Sequence, residues 1–313
     1  SNTLSSWQSI ATAATFIPKS FNILANFNLS QFLSITCFPP DMPIPNVCIP
    51  AEIPTAHTSC AILLYDGADA DGGADFIFTG ENDSDIMHNS AMVNLNIVDS
   101  MKRLGIKKVF YSSSACMYPE DHQLEIDVPA LREDMAYPGN PDSEYGWEKL
   151  FSERLFLTHA KNYDFDVRIA RFHNIFGPEG TYLGGREKAP AALCRKVINS
   201  NGEIEVYGDG KQTRSFLYID ECVEGIRRLM ESNCLEPLNL GSDEVISIND
   251  FGQMIIDISE KDVNIENIDV PQLGVRGRNS DNTLIKEKLG WSPTQPLRVG
   301  IEKTYKWIRS RYE

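Results

Sequence analysis

Short apolar runs alternate with helix-patterned segments from residue 61 onward, and this alternation constrains the fold more than any other feature of the chain. The runs at 61–65, 107–111 and 167–172 predict short buried strands. Segment 90–104 carries apolar residues near helical spacing and ends at a glycine, and 143–162 is a second predicted helix. Strands that alternate with helices predict an α/β fold, with a doubly wound parallel sheet covered on both faces.

Two loops that follow predicted strands are the expected location of any chemistry. Ligands of such sheets bind at the carboxyl ends of the strands. The loop 112–120 reads SSSACMYPE, and the loop 173–190 begins HNIFGPEG. We therefore expect a functional site where these two loops meet.

The first 60 residues differ in composition from the rest of the chain. They hold three charged side chains, Lys19, Asp41 and Glu52, whereas the other 253 residues hold 70 of the 73 in the chain. Segment 39–54 is dense in proline, which disfavours helices and central strands. A transit peptide would be Ser-rich and acid-poor like this segment but also Arg-rich, and no arginine is present. We expect 1–60 to be an atypical, irregular segment.

Charge and hydropathy exclude several classes of function. The net charge of -15 argues against affinity for nucleic acid or an anionic membrane surface, both of which require basic surface. No uninterrupted apolar run reaches the roughly 18 residues of a membrane span. A few well-placed lysines and arginines would still allow an anionic small ligand.

Cysteines and histidines give no sign of disulfides or metal. The seven cysteines form no CxxC pair, which is typical of reduced thiols in the cytosol, so a cytoplasmic location is expected. The five histidines lack the spacing of metal ligands, so no metal site is expected. The chain begins with Ser1, from which we expect a processed chain, a piece of a longer one, or an expression remnant.

The sequence YGWEK at 145–149 places a tyrosine and a lysine on one face of the second predicted helix. A cation near a phenol favours the phenolate, so Tyr145 next to Lys149 is a candidate general base. The same spacing is common on surface helices. Its weight comes from its position, 31 residues after Ser114, on elements that reach the same edge of the sheet.

Ser114 and Cys116 are two residues apart, and an extended chain would point both to one face. Ser114 would then hydrogen-bond a substrate oxygen and orient it for Tyr145. The thiol of Cys116 is either a small buried side chain, the usual fate of a free cysteine, or a proton-transfer group.

Basic residues cluster in three later segments. Lys188 lies in GGREKAP, which leads into a predicted helix, and is suited to donate a proton or bind phosphate. Arg214 follows the turn GDGKQT, and Arg276 and Arg278 add positive charge. Arginines on an acidic protein suit a local diphosphate clamp, although each taken singly is more often a solvated surface charge.

Taken together, these motifs resemble the extended short-chain dehydrogenase/reductase family of sugar-nucleotide enzymes over residues 61–313. The resemblance is carried by SSSACMYP, YGWEK, RIARFHNIFGP, GDGKQTRSFLYIDECVEGI and the LGW at 289–291. Within the family, the cysteine in SSSACMYPE and the run GGREKAPAA are similar to the branch that epimerises GDP-mannose at C3 and C5. A UDP-galactose 4-epimerase-like protein would carry neither.

The resemblance implies a Rossmann-type fold, NAD as cofactor and a GDP-sugar as substrate. It implies that Tyr145, helped by Lys149 and Ser114, deprotonates the C4 hydroxyl while hydride passes to NAD. The C4 ketone then makes the C3 and C5 hydrogens acidic. Cys116 would remove them from one face of the ring, Lys188 would return protons on the other, and re-reduction would give GDP-L-galactose or GDP-L-gulose, as in ascorbate and cell-wall sugar biosynthesis.

The resemblance also assigns binding residues. The cofactor would contact Tyr145, Lys149 and Gly72. The nucleotide sugar would be held by Gly73, Ser114, Ala115, Cys116, Asn174, Glu187, Lys188, Ala189, Lys196, Gln212, Thr213, Arg214 and Arg278.

The family's glycine-rich opening is not recognisable in this chain. Such enzymes begin with a strand, GxxGxxG and a helix whose N-terminus binds the cofactor diphosphate. Residues 1–60 contain no glycine, the first glycine is Gly67, and the run 61–65 would be the family's fourth strand. We therefore expect the N-terminal βαβ units to be absent, which would leave one edge of the sheet uncovered. The abrupt change favours a replaced or mispredicted first segment over gradual divergence.

Two alternatives to the epimerase follow. The chain could be a truncated, catalytically impaired relative that cannot bind NAD alone but pairs with a full-length partner, or another nucleotide-sugar epimerase or dehydratase. We expect 61–178 and 209–236 to form the remaining NAD-binding domain. Segments 179–208 and 237–313 would form a smaller substrate-binding region, and 90–104 with 143–162 a homodimer interface.

Overall fold

The computed structural model describes residues 33–35, 61–63, 77–269 and 274–313. Within these residues the main sheet has five parallel strands in the order β1-β2-β3-β4-β9. They are β1 (Leu33–Ile35), β2 (Ala61–Leu63), β3 (Lys108–Ser114), β4 (Asp166–Phe172) and β9 (Leu238–Leu240). The predicted α/β fold with a parallel sheet is confirmed.

The edge of the sheet beside β2 differs from the expectation. We expected it to be uncovered and residues 1–60 to be irregular, yet Leu33–Ile35 pairs with Ala61–Leu63 in parallel register. The paired segment reads LSI. The rest of 1–60 lies outside the described residues.

Side chains of the central strands alternate between the two faces of the sheet. Val109 and Ile169 point to a core built with helix α1 (Asp83–Leu104), whereas Phe110 and Ala170 point to a second core on the opposite face. The period of two is that of a β-strand, and burial on both faces accounts for the continuous apolar runs in the sequence.

Helix α1 ends as predicted but begins earlier. Gly105 adopts φ 66° and closes the last turn, with its N–H bonded to the carbonyl of Met101. The first turns hold Asp83 and Asp85, which suit a helix N-terminus, and bury only Ile86. Because apolar spacing was the signal used, these polar turns were missed.

Helix α2 (Glu144–Tyr163) matches the second predicted helix. Its N-cap is Ser143, whose hydroxyl accepts a hydrogen bond from the N–H of Gly146 at 3.3 Å. The helix packs beside α1 on one face of the sheet, through Phe156. On the other face lie α4 (Ile219–Glu231) and α6 (Thr283–Leu289).

The later part of the chain adds three small sheets and three helices around a separate apolar core. Strand β9 joins the main sheet, although we expected 237–313 to lie in the substrate-binding region. The division of the chain into two domains stays a prediction. The remaining strands are β5 (Ile175–Phe176), β6 (Glu203–Tyr207), β7 (Thr213–Ser215), β8 (Leu217–Tyr218), β10 (Val245–Ser247), β11 (Asn264–Ile268) and β12 (Gly277–Arg278). The remaining helices are α3 (Ala189–Asn199), α5 (Ile248–Ser259) and α7 (Leu297–Arg309).

Candidate active site

The loop that carries Ser114 and Cys116 turns sharply where β3 ends. Ala115–Met117 is a single turn of 3₁₀ helix, and the hydroxyl of Ser114 accepts a hydrogen bond from the N–H of Cys116 at 3.2 Å. The extended chain assumed in the sequence analysis is therefore wrong here, because Ser114 caps the turn. The two side chains are fixed by a cap and not by the alternation of a strand.

Tyr145 and Lys149 lie on one face of α2, as their spacing predicts. The ammonium of Lys149 is 5.3 Å from the centre of the Tyr145 ring and donates to the carbonyl of Ser112 at 3.2 Å. Lys149 is 1% exposed and Tyr145 is 6% exposed. A buried cation next to a phenol supports the phenolate that a general base requires.

The start of α2 packs directly on the turn that carries Cys116. A Cβ placed on Gly146 would lie 2.2 Å from the carbonyl oxygen of Cys116, so only glycine allows this approach. Tyr145 and Cys116 also belong to one apolar cluster, with Ile77 and Ile86. The structure thus brings together the phenol and the thiol that the sequence places 29 residues apart.

Arg278 contacts the sulfur of Cys116. Its Nη1 donates to Sγ at 3.0 Å, and its Nη2 forms a buried ion pair with Asp142 at 2.8 Å. Burial lowers the pKa of the Arg278 guanidinium, but the neighbouring Cys116 and Asp142 outweigh burial and raise it. The structure thus places a cation in direct contact with the sulfur of Cys116.

The residues predicted to hold the nucleotide on β7 are largely occupied by protein contacts. Arg214 donates to the carbonyls of Thr213 at 2.8 Å and Val275 at 2.7 Å. Burial, aided by the charge of Arg278, lowers the pKa of Arg214 to about 10. Thr213 donates to the carbonyl of Ile126 at 2.7 Å.

Gln212 precedes β7 and binds the carbonyl of Tyr207 through Nε2 at 3.2 Å. Its Oε1 is buried and has no hydrogen-bond partner among the described residues. Arg276 pairs with Asp209 at 2.8 Å, in a more exposed position. Several N–H groups of these arginines donate within the protein, and binding of a diphosphate by them stays a prediction.

The segment around Lys188 forms the entrance to α3. Lys188 is the N-cap residue, and Ala189 is the first helical residue. Glu187 bonds to the side chain of Arg195 and to the N–H of Gly185. Delivery of a proton by Lys188 and sugar binding by Glu187 and Ala189 stay predictions.

Two further predicted binding residues are placed by backbone contacts. Asn174 adopts φ 46°, and its Nδ2 donates to the carbonyl of Ser215 at 2.8 Å. Lys196 donates to the carbonyl of Glu205 at 2.7 Å. Gly72 and Gly73 lie outside the described residues.

A buried polar network, which the sequence analysis did not predict, holds Tyr118 at the end of the loop that carries Cys116. The Tyr118 hydroxyl donates to Oδ1 of Asn239 at 2.7 Å, and the same oxygen is 3.1 Å from Nε2 of His173. Because that oxygen accepts, Nε2 of His173 carries the proton. Burial lowers the pKa of His173 to about 3, so the ring is neutral. A histidine at a strand end gives no signal in one sequence that separates this role from metal binding.

The residues that the structure describes contain neither a candidate metal-binding group nor a candidate membrane-spanning helix. In 77–269 and 274–313, no group of three or more His, Cys, Asp and Glu side chains is placed to hold a metal ion. No helix of the same residues is both long and apolar enough to cross a membrane.

Comparison with known proteins identifies plant enzymes as relatives of this chain. The chain is 50% identical over 242 residues to "GDP-mannose 3,5-epimerase 1" of Oryza sativa subsp. japonica and, to the same extent, to "GDP-mannose 3,5-epimerase" of Arabidopsis thaliana. The matched region covers 77% of this chain and 63% of each plant enzyme. The chain therefore spans less than two thirds of the length of these relatives.

Solved structures show the same fold. UDP-glucose 4-epimerase of Thermotoga maritima superposes with a TM-score of 0.72 at 23% identity, over 82% of this chain and 78% of that one. UDP-glucuronic acid 4-epimerase of Bacillus cereus, in complex with UDP-glucuronic acid and NAD, gives 0.63 at 27% identity, over 72% and 68%. A family model matches residues 74–241. The chain belongs to the NAD dependent epimerase/dehydratase family.

Proposed function

We propose that this chain epimerises GDP-mannose at C3 and C5, with NAD as cofactor and GDP-L-galactose or GDP-L-gulose as product. The observation that carries the proposal is one contact set: Cys116 lies against the Arg278 guanidinium and in one cluster with Tyr145. The 50% identity to plant enzymes named for this reaction supports the choice of substrate.

The residues supply each proton movement the reaction needs. Tyr145, with the ammonium of Lys149 beside its ring, accepts the proton of the C4 hydroxyl. NAD, when bound, supplies the hydride acceptor and donor at C4. A ketone at C4 acidifies the hydrogens on C3 and C5, because the carbanion is delocalised as an enolate.

Cys116 removes those hydrogens from one face of the ring, with Arg278 balancing the negative charge on sulfur. Lys188 returns protons to the opposite face. The hydroxyl of Ser114 lies at the end of β3, where it caps the turn of Cys116. It hydrogen-bonds the substrate oxygen and orients that oxygen for Tyr145.

The donor set fits the nicotinamide ribose end of NAD. A buried lysine and a tyrosine converge where the carboxyl end of β3 meets α2, which is where ligands of this fold bind. The diphosphate end would need a glycine-rich turn, and residues 1–60 contain no glycine. The lack of glycine in this segment favours the alternative of a truncated, catalytically impaired relative that cannot bind NAD alone.

We also propose a homodimer through α1 and α2. Met92 and Leu95 on α1, with Trp147 and Phe151 on α2, are large apolar side chains that are 37–47% exposed. A second copy would cover them, and sedimentation at the mass of two chains tests this.

One assay separates the candidate functions. Purified chain is titrated with NAD, then incubated with GDP-mannose or with UDP-sugars, and the products are separated by chromatography. Saturable NAD binding and conversion of GDP-mannose alone are expected. Absence of NAD binding would leave the impaired relative, and conversion of UDP-sugars instead would identify another epimerase or dehydratase.

A further inference from the structure

The Arg278 guanidinium is held from three directions. Nη1 meets the sulfur of Cys116 at 3.0 Å, Nη2 meets Asp142 at 2.8 Å, and Nε donates to Oε1 of Gln123 at 2.5 Å. Three separated contacts fix both the position and the rotation of a planar group. The distance from cation to sulfur therefore depends on two protein anchors, one charged and one neutral.

Gln123, the neutral anchor, is itself fully fixed. Its side chain has no exposed surface. Its Nε2 donates to the carbonyls of Tyr118 at 3.3 Å and Pro119 at 3.0 Å. With both hydrogens of the amide committed to carbonyls, its oxygen is the atom that faces Arg278.

The backbone of Gln123 reaches the same strand as its side chain. Its carbonyl accepts hydrogen bonds from the N–H groups of Arg276 at 2.9 Å and Gly277 at 3.1 Å. These residues immediately precede Arg278. Gln123 thus joins the loop of Cys116 to the strand of Arg278.

The two anchors differ in what they do to charge. Asp142 is 1% exposed and compensates the buried cation, so its removal changes both geometry and electrostatics. Gln123 is neutral, so replacing it changes the position of Arg278 without changing the net charge of the site.

We infer that Gln123 is a positioning residue, which sets the contact between the Arg278 guanidinium and the Cys116 sulfur. The cation stabilises the thiolate, which is the reactive form of a cysteine. The inference rests on the proposed function only in treating Cys116 as a proton acceptor.

The test is the alkylation rate of Cys116 in the full chain, measured at neutral pH with iodoacetamide and resolved by mass spectrometry of the Cys116 peptide. We expect Arg278→Met to slow alkylation about tenfold, because the thiolate loses its cation. Gln123→Met should slow it roughly threefold to tenfold for the same reason. In the Arg278→Met background, Gln123→Met should add less than about twofold, because it acts through Arg278.

Cys234, which is also partly exposed, is the internal reference and should react at one rate in every variant. Wild-type alkylation in Gln123→Met, or equal slowing in both backgrounds, would overturn the inference. Should Gln123→Met fail to fold by near-UV circular dichroism, Gln123→Asn replaces it. The asparagine side chain is one carbon shorter, so its amide no longer reaches Nε of Arg278. Gln123→Asn should therefore slow alkylation in the wild-type background and add little in the Arg278→Met background, as expected for Gln123→Met. Alkylation by iodoacetamide needs neither NAD nor sugar, so a chain without epimerase activity still gives a decisive result.

Discussion

Tyr145→Phe is expected to lower the turnover of GDP-mannose by roughly 10²- to 10⁴-fold, the usual contribution of a general acid-base group. The substitution removes the hydroxyl that accepts the C4 proton in the proposed reaction. It keeps the ring that packs with Ile86, and it keeps the Lys149 ammonium over that ring, so the fold should be little changed.

The matched control is Tyr163→Phe, at the other end of the same helix. Tyr163 is 42% exposed, and the Lys102 ammonium lies 4.2 Å from the centre of its ring. Tyr163→Phe therefore removes the same hydroxyl oxygen, but far from the site. The turnover of the Tyr163→Phe variant should stay within about twofold of wild type, as expected for a surface substitution away from the site. If Tyr145→Phe kept wild-type turnover, Tyr145 would not be the base. Both rates are read from product formation under saturating NAD.

Arg171→Met is expected to lower the free energy of unfolding by about 3–5 kcal/mol, the cost of leaving a buried charge without its partner. Arg171 binds both oxygens of Glu153, at 2.6 and 3.1 Å, and donates to the Tyr118 hydroxyl at 3.0 Å. The two charged side chains are 3% and 1% exposed. Burial lowers the pKa of Arg171, but the charge of Glu153 outweighs burial and raises it.

Urea denaturation measures this loss, with Arg227→Met as control. Arg227 pairs with Glu224 and Glu231 on an exposed face of α4, where removing an ion pair costs about 0–1 kcal/mol. Replacing Glu153 by Leu in the Arg171→Met variant should recover much of the stability, because no unpaired charge then remains buried. Equal losses for Arg171→Met and Arg227→Met would contradict the account.

Local patterns in the sequence were sufficient for the elements that frame the site. Gly105 ends α1 as a cap residue, as its type and position indicate, and the predicted start of the second helix at Ser143 falls within one residue of the observed start of α2. The spacing of Tyr145 and Lys149 correctly predicts one helix face, because helix geometry alone determines it.

Contacts between distant segments could not be predicted in this way. The contacts of Arg278 with Cys116 and Gln123, which are 162 and 155 residues away, were not predicted, and its role in holding the nucleotide sugar stays a prediction. A single sequence gives no sign that Gln123 is buried, because the residue type alone does not distinguish a buried glutamine from one on the surface. The 3₁₀ turn after Ser114 was also missed, because a serine can continue a strand or cap a turn with equal ease.

Exchange of hydrogen with heavy water tests most directly whether Cys116 moves protons at a sugar ring. The purified chain is incubated with NAD and GDP-mannose in deuterium oxide, and deuterium at C3 and C5 of the recovered sugar nucleotide is measured by NMR, beside the Cys116→Ser variant. The account predicts deuterium at both carbons, with incorporation slowed at least about a hundredfold in the variant. Equal incorporation by the two proteins, or deuterium at neither carbon in the wild type, would contradict it.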